Sequence, residues 1–449
     1  MLKRTSACFA LILGASYAFA QDASGPVASG TTSGGGSSDA AASGTTQVNI
    51  FTATPESTAD ISESFSLPGG YGNAPLNFTP GQGHFDRPAL EFNTTVQQSY
   101  DDNIYSSSGA PGLKPVKGSM MTNLSEGVSV LLSQGRTGFT LDANVGGQYV
   151  WDRDGDKLTP SFGLDMIYAY RISPRTQLSV QLGLVYQTQS SYNSLNGLTD
   201  SNGKPYLTGN AKVDLLYRWT PLISLDTTYV AYGTYYTDSD YQDSNHLNQI
   251  IGESIRYSWS RNVTAILEGR VGQDTYDHSG SNSQSYYALT GADLTLSRRL
   301  SSAIRLGSQT RVNDGGTANT MPYAEATANY ILTRTTLLGW NLRYGYNDTN
   351  SSTGAAKSLR TGINLNQSVT SRLRANLSVN IENADALQGD NDVTVSNSYF
   401  SIIGTAGVSY AFTKDLSVFA NYNRIEKESP SDYVQYSKNV YSIGATYQY

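Results

Sequence analysis

Cysteine, histidine and long apolar runs are scarce in this 449-residue sequence, and each shortage excludes a kind of protein. The one cysteine, Cys8, lies in the N-terminal leader, so disulfide bonds and thiol catalysis are excluded for the rest of the chain. Beyond that leader no run of about 18 apolar residues exists, which excludes transmembrane helices. Tyrosine is abundant instead, with 32 residues, and its ring suits a boundary that is apolar on one side and wet on the other.

Residues 1–20 have the pattern of a secretory signal peptide. Lys3 and Arg4 precede the apolar core Ala7–Phe19, and an A-x-A motif predicts cleavage after Ala20. A retained helical anchor is the alternative, but this apolar run is too short to span a bilayer. Cleavage removes two positive charges and takes the formal net charge from −7 to −9. We therefore expect no nucleic-acid partner.

Residues 21–88 differ in composition from everything that follows. Positions 24–46 are almost entirely Gly, Ser, Ala and Thr without apolar periodicity, so they cannot bury enough surface to offset their ordering entropy. Residues 47–88 add scattered aromatic residues but also prolines and many glycines. We predict a disordered, flexible periplasmic segment. A partial plug threaded into a lumen is the alternative.

From residue 89 onward, apolar and polar residues alternate. In the segment 177–187, for example, Leu178, Val180 and Leu182 alternate with Ser179, Gln181 and Gly183. A period of two predicts strands with one apolar face, and helical spacing does not fit these segments. The region 89–449 is therefore predicted to be all-β.

Two kinds of connection separate the predicted strands. Long ones are rich in Ser, Asn, Asp and Gly, whereas short turns rich in Ser, Thr, Arg and Pro recur at spacings of 35 to 46 residues. Short turns on one rim and long loops on the other are typical of outer-membrane barrels. A propeller blade has a similar period but needs four strands where this sequence has two. The short turns are centred on Arg136, Pro174, Thr220, Arg261, Arg299, Arg334, Ser371 and Lys414.

The turns also give the strand count. Eight turns join sixteen strands, and one strand before the first loop (Leu90–Asn103) and one after the last (Val434–Tyr449) bring the total to about 18. The sequence thus predicts a transmembrane antiparallel up-and-down β-barrel in which the first and last strands pair. We expect the terminal residues Tyr441, Ile443, Tyr447 and Tyr449 to face outer-membrane lipid and to be recognised by the barrel-assembly machinery.

Charged residues lie on the face opposite the apolar alternation and are predicted to line a pore. Carboxylates point inward on the third to seventh predicted strands, and guanidinium groups on the eighth to fifteenth. The exceptions are Lys212 and Arg218 among the acids and Glu268, Asp293 and Glu382 among the arginines. If both sets lie at one depth, they create a transverse field that orients charged solutes, and a simply polar interior is the alternative. The predicted pore-lining residues are Asp142, Asp165, Asp214, Asp226, Arg256, Arg270, Arg305, Arg311, Arg343 and Arg360.

Aromatic residues cluster at the predicted strand ends. Most of them, such as Tyr257 and Trp259, follow the outward alternation and predict the interface girdles of a membrane barrel. A path for sugar stacking is the alternative. Tyr232, Tyr236 and Tyr287 are the candidates for such a path, because their parity or loop position points them inward.

Two further motifs suggest other chemistry. The alternating carboxylates of Asp152–Asp156 resemble a calcium loop, but Lys157 replaces the required glycine and Gly163 the last ligand, so a solvated loop is favoured. Asp277-His278-Ser279 contains triad residue types, yet neighbours in one loop do not form the required relay. We predict no catalysis, no metal and no cofactor.

The first predicted strand resembles the opening strand of a known family. Pro88-Ala89-Leu90-Glu91-Phe92 and Ser99-Tyr100-Asp101-Asp102-Asn103-Ile104-Tyr105, with the Ser/Thr-Arg/Pro turns and the aromatic terminus, resemble the beta-barrel porin 2 family. The resemblance covers residues 88–449 and implies an outer-membrane, porin-like protein, with some relatives associated with exopolysaccharide production. The expected function is passive diffusion of small hydrophilic solutes. The alternative is a non-enzymatic barrel for exopolysaccharide export or surface assembly.

Overall fold

The computed structural model describes residues 89–134, 136–188, 191–193, 197–199, 204–238, 245–277, 282–314, 316, 318–348, 355–386, 398–430 and 435–449. The predicted signal peptide (1–20) and flexible segment (21–88) lie outside these residues, as do His278 and Ser279. Within these ranges, no helix is long and apolar enough to cross a membrane.

The described residues form strands joined by turns and loops. In chain order the strands are β1 (Ala89–Asp101), β2 (Ser119–Gln134), β3 (Thr137–Val150), β4 (Leu158–Ser173), β5 (Thr176–Gln187), β6 (Ser191–Asn193), β7 (Gly197–Thr199), β8 (Tyr206–Arg218), β9 (Ile223–Tyr236), β10 (His246–Ser260), β11 (Val263–Tyr276), β12 (Ser283–Ser297), β13 (Leu300–Asn313), β14 (Ala318–Thr333), β15 (Thr336–Asp348), β16 (Ala355–Ser368), β17 (Leu373–Ala386), β18 (Tyr399–Ala411), β19 (Leu416–Glu428) and β20 (Tyr436–Gln448).

The sheet closes on itself as an 18-stranded antiparallel barrel. Each barrel strand pairs with its neighbours in the chain, and β1 pairs with both β2 and β20. The predicted fold class and strand count are confirmed. The short strands β6 and β7 form a separate hairpin in the connection between β5 and β8, which the sequence did not indicate.

The short turns lie where the sequence placed them, and a shared hydrogen-bond pattern explains their composition. The Ser297 hydroxyl accepts hydrogen bonds from the backbone N–H groups of Arg299 and Leu300. The Thr413 hydroxyl does the same for Asp415 and Leu416. Hydroxyl side chains at the start of a turn satisfy backbone donors that the sheet leaves unpaired. The Ser and Thr residues therefore fix the tight rim of the barrel.

The two faces of the wall differ as the alternation predicts. On β10, Ile251, Ile255 and Tyr257 are exposed on the outer face, whereas Ser254 and Arg256 are buried on the inner face. The same parity places most large apolar side chains outside and most polar ones inside around the barrel, and Leu289, Tyr323 and Ile403 are inward exceptions. An apolar outer band and a polar interior are the surfaces that a membrane-spanning barrel needs.

Candidate functional site: the charged inner wall

A belt of charged side chains, here called the inner belt, runs along the inner face of β8–β17. Both signs occur along it, and each strand can contribute inward side chains because every second residue points to the inner face. Most of them are buried. The inner belt comprises Lys212, Asp214, Asp226, Arg256, Glu268, Arg270, Asp274, Asp293, Arg305, Arg311, Glu325, Arg343, Arg360 and Glu382.

Arg256 and Arg305 connect the five strands β9 to β13 through carboxylates on β9, β11 and β12. The Arg256 guanidinium lies 3.5 Å from the Asp226 carboxylate on β9 and also pairs with Asp293 on β12. Arg305 on β13 lies 2.9 Å from the other oxygen of Asp293. Arg305 further approaches Glu268 on β11 at 3.4 Å. Asp293 therefore contacts both Arg256 and Arg305. Glu268 contacts Arg305 and also Arg270 on its own strand.

Arg270 makes the longest connection of the inner belt. Its Nε lies 2.5 Å from Glu268 on the same strand, and its Nη2 lies 3.0 Å from Glu325 on β14, three strands away. The Tyr323 hydroxyl donates a hydrogen bond to the Glu325 carboxylate. The ring of Tyr323 also lies beside two guanidinium groups, those of Arg270 and Arg343, at 5.9 Å each. A charged aromatic cluster thus braces β11 against β14 and β15.

The inner belt continues onto β16 and β17. Arg343 lies opposite Glu325 on one side and Arg360 on the other in the strand register. Arg360 in turn pairs with Glu382 at 2.9 Å, and both side chains are buried. Arg311, near the long-loop end of β13, lies 3.8 Å from Asp274 on β11. A buried charge that keeps its partner costs far less than one left alone, so each arginine depends on its carboxylate.

The predicted acidic residues lie on β3, β4, β8 and β9, and those on β8 and β9 belong to the inner belt. Asp142 on β3 and Asp165 on β4 lie directly opposite each other in register. Asp214 pairs with Lys212 at 3.0 Å and accepts a hydrogen bond from Thr228. Among the described residues, no ion pair includes Asp142 or Asp165. These two carboxylates form the acidic part of the inner face.

The charge pattern differs from the simple separation into an acidic and a basic sector. Carboxylates stand between the arginines, so the basic sector is largely neutralised within the wall. Sequence reasoning placed Glu268, Asp293 and Glu382 inward but treated them as exceptions, and it missed Glu325 and Asp274. The inward parity of the latter two was available in the sequence, since Glu325 alternates with the outward Ala324 and Ala326.

The three tyrosines proposed as a sugar path point inward but are buried. Tyr236 packs on Tyr206, and Tyr287 packs edge-on against Tyr323. Tyr232 forms a small cluster with Val230. Their rings are therefore engaged with other side chains, which leaves little ring surface for stacking on a sugar.

Aromatic residues on the outer face lie where interface girdles are expected. Tyr257 and Trp259 form an edge-to-face pair near the short-turn rim, and Tyr149 and Trp151 form another near the opposite rim. The terminal residues Tyr441, Ile443, Tyr447 and Tyr449 are exposed on the same face. Such rings suit the boundary between lipid and water.

The acidic loop after β3 contacts the loop between β1 and β2 (residues 102–118), here called the first outer connection. Asp154 lies 3.0 Å from the Lys117 ammonium, and the Tyr105 hydroxyl donates a hydrogen bond to the same carboxylate. The Lys117 interaction holds the pKa of Asp154 below its usual range and raises the pKa of Lys117. Within the described residues, no group of three or more His, Cys, Asp or Glu side chains could hold a metal ion.

Comparison with family models gives no match, and comparison with curated proteins gives none either. Similar solved structures include OccAB3 of Acinetobacter baumannii, with 12% identity, 80% of this chain and 99% of that chain covered, and a TM-score of 0.40. OpdK of Pseudomonas aeruginosa with vanillate has 10% identity, coverages of 80% and 98%, and a TM-score of 0.40. The siderophore receptor PirA of Pseudomonas aeruginosa has 9% identity, 81% of each chain covered, and a TM-score of 0.38. Similarity at this level does not assign a family, and the resemblance to the beta-barrel porin 2 family stays a prediction.

Proposed function

We propose that the protein is an outer-membrane channel through which small hydrophilic solutes diffuse passively. The observation that carries this proposal is the closed 18-stranded barrel with an apolar outer face and a charged inner face. Barrels of about 16 to 18 strands are wide enough to enclose an aqueous path. The same two surfaces fit a location in the outer membrane.

The inner belt is the proposed pore lining. Its charges of both signs pair with one another, which keeps the net charge of this part of the wall low. Asp142 and Asp165 lie apart from the arginines and give the path an acidic side. A wall of this kind discriminates weakly by charge, so we expect a general channel with modest ion selectivity.

We further propose that the terminal strand is the element that the barrel-assembly machinery recognises. Tyr441, Ile443, Tyr447 and Tyr449 support this assignment because they form a continuous exposed apolar row on β20 and the residue that follows it. Deleting Tyr449 is expected to reduce the amount of heat-modifiable, folded protein in the outer membrane. Unchanged folding after the deletion would contradict this role.

Liposome swelling with sugars of graded size tests the channel proposal. Proteoliposomes that contain the full chain are expected to swell with the smallest sugars and progressively less with larger ones. Protein-free liposomes and heat-unfolded protein are the controls. The absence of swelling with every sugar would overturn the proposal and would favour the export or surface-assembly alternative.

A further inference from the structure

The pairing of β1 with β20, here called the seam, differs from every other contact between barrel strands. Neighbouring strands elsewhere are joined by a turn or a loop, which limits their register, whereas the seam joins the two ends of the chain. A slip by two residues keeps every side chain on its own face, so the apolar pattern alone cannot exclude it. Something else must select the register of the seam.

The central part of the seam discriminates weakly between registers. Its inward contacts are hydrogen bonds between hydroxyl groups, from Thr95 to Thr446 at 2.9 Å and from Ser99 to Ser442 at 3.0 Å. A slip by two residues places Ser99 beside Val440 or Gly444 instead of Ser442. The lost hydrogen bond is a neutral one, so its net cost is small.

The short-turn end of the seam carries one specific contact. Phe92 and Tyr449 exchange backbone hydrogen bonds at 3.1 and 2.9 Å, and their rings stack at 5.9 Å. Both side chains lie on the exposed outer face, where a stacked pair can re-form with other apolar neighbours. This contact lies at the end of the seam but does not select its register.

The outer end carries much stronger contacts, all made by three consecutive residues, here called the closure triplet (Asp101, Asp102 and Asn103). Asp101 points inward and forms an ion pair with Lys438 at 2.7 Å, with both side chains buried. Asp102 accepts hydrogen bonds from the backbone N–H of Asn439 at 2.7 Å and from its side-chain amide at 2.6 Å. The ion pair connects β1 and β20 on the inner face of the wall. The two hydrogen bonds of Asp102 connect the same strands through Asn439.

Asn103 completes the closure triplet by tying the first loop to the same segment of β20. Its side-chain amide donates to the carbonyl groups of Ser437 and Ser107 at 3.0 and 2.8 Å. Its side-chain oxygen accepts a hydrogen bond from the Ser107 N–H, which folds the loop back on itself. The Asp101 carboxylate also accepts a hydrogen bond from the Asn103 N–H. Three successive side chains thus hold three successive residues, Ser437, Lys438 and Asn439.

The contacts extend from the seam to the strand beyond it. The side-chain oxygen of Asn439 accepts hydrogen bonds from the Tyr422 hydroxyl at 2.8 Å and from Arg424 at 3.2 Å, both on β19. A slip of β20 that brings Val440 beside Ser99 would place Lys438 directly opposite Asp101 but would separate Asn439 from Asp102. A slip that brings Gly444 beside Ser99 would move Lys438 four residues from the position opposite Asp101 and would break both contacts. Losing a buried ion pair leaves an uncompensated charge, which is far more costly than losing a neutral hydrogen bond.

We propose that the closure triplet selects the register in which the two chain ends meet and thereby completes the barrel. Asp101, Asp102 and Asn103 act as positioning residues, because they set which residues of β1 and β20 face each other. This role concerns closure of the wall and does not depend on which solute passes through the lumen.

Engineered cysteine pairs can report the register directly, because the single native cysteine lies in the predicted signal peptide and can be replaced by Cys8→Ser. The native reporter is Ser99→Cys with Ser442→Cys. The slipped reporters combine Ser99→Cys with Val440→Cys or with Gly444→Cys. In the full chain with an intact closure triplet, we expect disulfide formation in the native reporter and little in the slipped ones.

Replacing the closure triplet by alanines is expected to lower cross-linking of the native reporter at least about threefold and to raise cross-linking of the slipped reporters. A change of about threefold is modest for the loss of several charge-assisted hydrogen bonds. The matched control is Arg360→Ala with Glu382→Ala, which removes a buried ion pair from β16 and β17, two strands joined by a short turn. Native seam cross-linking should stay intact in this control. Unchanged cross-linking in the triplet variant, or an equal loss in the control, would overturn the proposal.

A charge exchange keeps the test decisive if the triplet variant does not fold. Lys438→Asp alone should lose native cross-linking, and the combination of Asp101→Lys with Lys438→Asp should regain at least half of it, since the pair is restored in reverse. Failure of the exchange to restore cross-linking, or native cross-linking in Lys438→Asp alone, would contradict the register role.

Discussion

Glu268 is a carboxylate that two arginines of the inner belt share. One of its oxygens contacts Arg270 and the other approaches Arg305, and all three side chains are buried. Removing a shared carboxylate leaves two guanidinium groups without part of their compensation. The local wall then carries one more positive charge.

Glu268→Gln is expected to shift the permeability of the channel toward anions, because the surplus positive charge attracts them to the wall. The reversal potential across a bilayer with a salt gradient measures this shift. The matched control is Glu126→Gln, which removes the same charge from an exposed position on the outer face beside Thr94. An equal reversal potential in wild type and Glu268→Gln would show that the inner belt does not line the conducting path.

Gly291→Ala tests how tightly the backbone is packed beside the arginines. A Cβ at this position would lie 2.0 Å from the carbonyl oxygen of Ile304 and 2.9 Å from Cδ of Arg305. We expect a loss of about 2 kcal/mol in stability, the usual cost of overpacking. Samples are heated to graded temperatures before electrophoresis, and the temperature at which the folded band converts to the unfolded band provides the measurement. Gly404→Ala, whose Cβ would meet no described heavy atom within 4 Å, should change it little, and equal shifts would contradict the account.

At the scale of elements, the first outer connection is held by contacts that depend on pH. Asp154 carries a lowered pKa, so its contribution is present above the usual aspartate pKa and is lost as the pH falls through the lowered value. Lys117 carries a raised pKa, so its contribution is lost only when the pH rises through that raised value. The attachment should therefore persist through the neutral range.

We expect protease cleavage of the connection between β1 and β2 to increase only in acid, below the usual range of aspartate. Asp154→Asn should make cleavage fast at neutral pH and nearly independent of pH, because the amide cannot form the ion pair with Lys117. Asp156→Asn, two residues further along, is the control. Rapid cleavage of the wild type at neutral pH would be inconsistent with this attachment.

The elements were more predictable from the sequence than their connections across the wall. Ser297, Thr413 and similar hydroxyl residues mark the short turns through local hydrogen bonds, so the turns and the strand count could be found from neighbouring residues alone. The contact between Arg270 and Glu325 spans four strands, and it depends on the stagger of the sheet. Alternation gives only the face of a side chain, and register is needed to give its partner. For the same reason the closure triplet was visible as a motif, but its partners on β20 were not.

At the scale of the whole molecule, all four tryptophans lie exposed on the outer face or at its rims. The indole N–H groups of Trp151 and Trp340 donate to Thr122 and Thr361, which satisfies them within the wall. Rings in this position belong to the lipid boundary of a membrane barrel.

Brominated acyl chains are therefore expected to quench most of the intrinsic tryptophan fluorescence of the folded protein in proteoliposomes. Trp259, whose side chain is the most exposed of the four, should contribute strongly, and Trp259→Phe should reduce the quenchable signal. Fluorescence that brominated lipids leave unchanged would show that the outer face does not meet lipid.

Recording from single molecules in a planar bilayer shows directly whether the barrel conducts. The refolded full chain should insert with discrete, reproducible conductance steps that scale with salt concentration and show modest ion selectivity. Steps of this kind should be absent for the heat-unfolded chain. Correctly folded barrels, verified by heat-modifiable migration, that insert and never conduct would contradict the account.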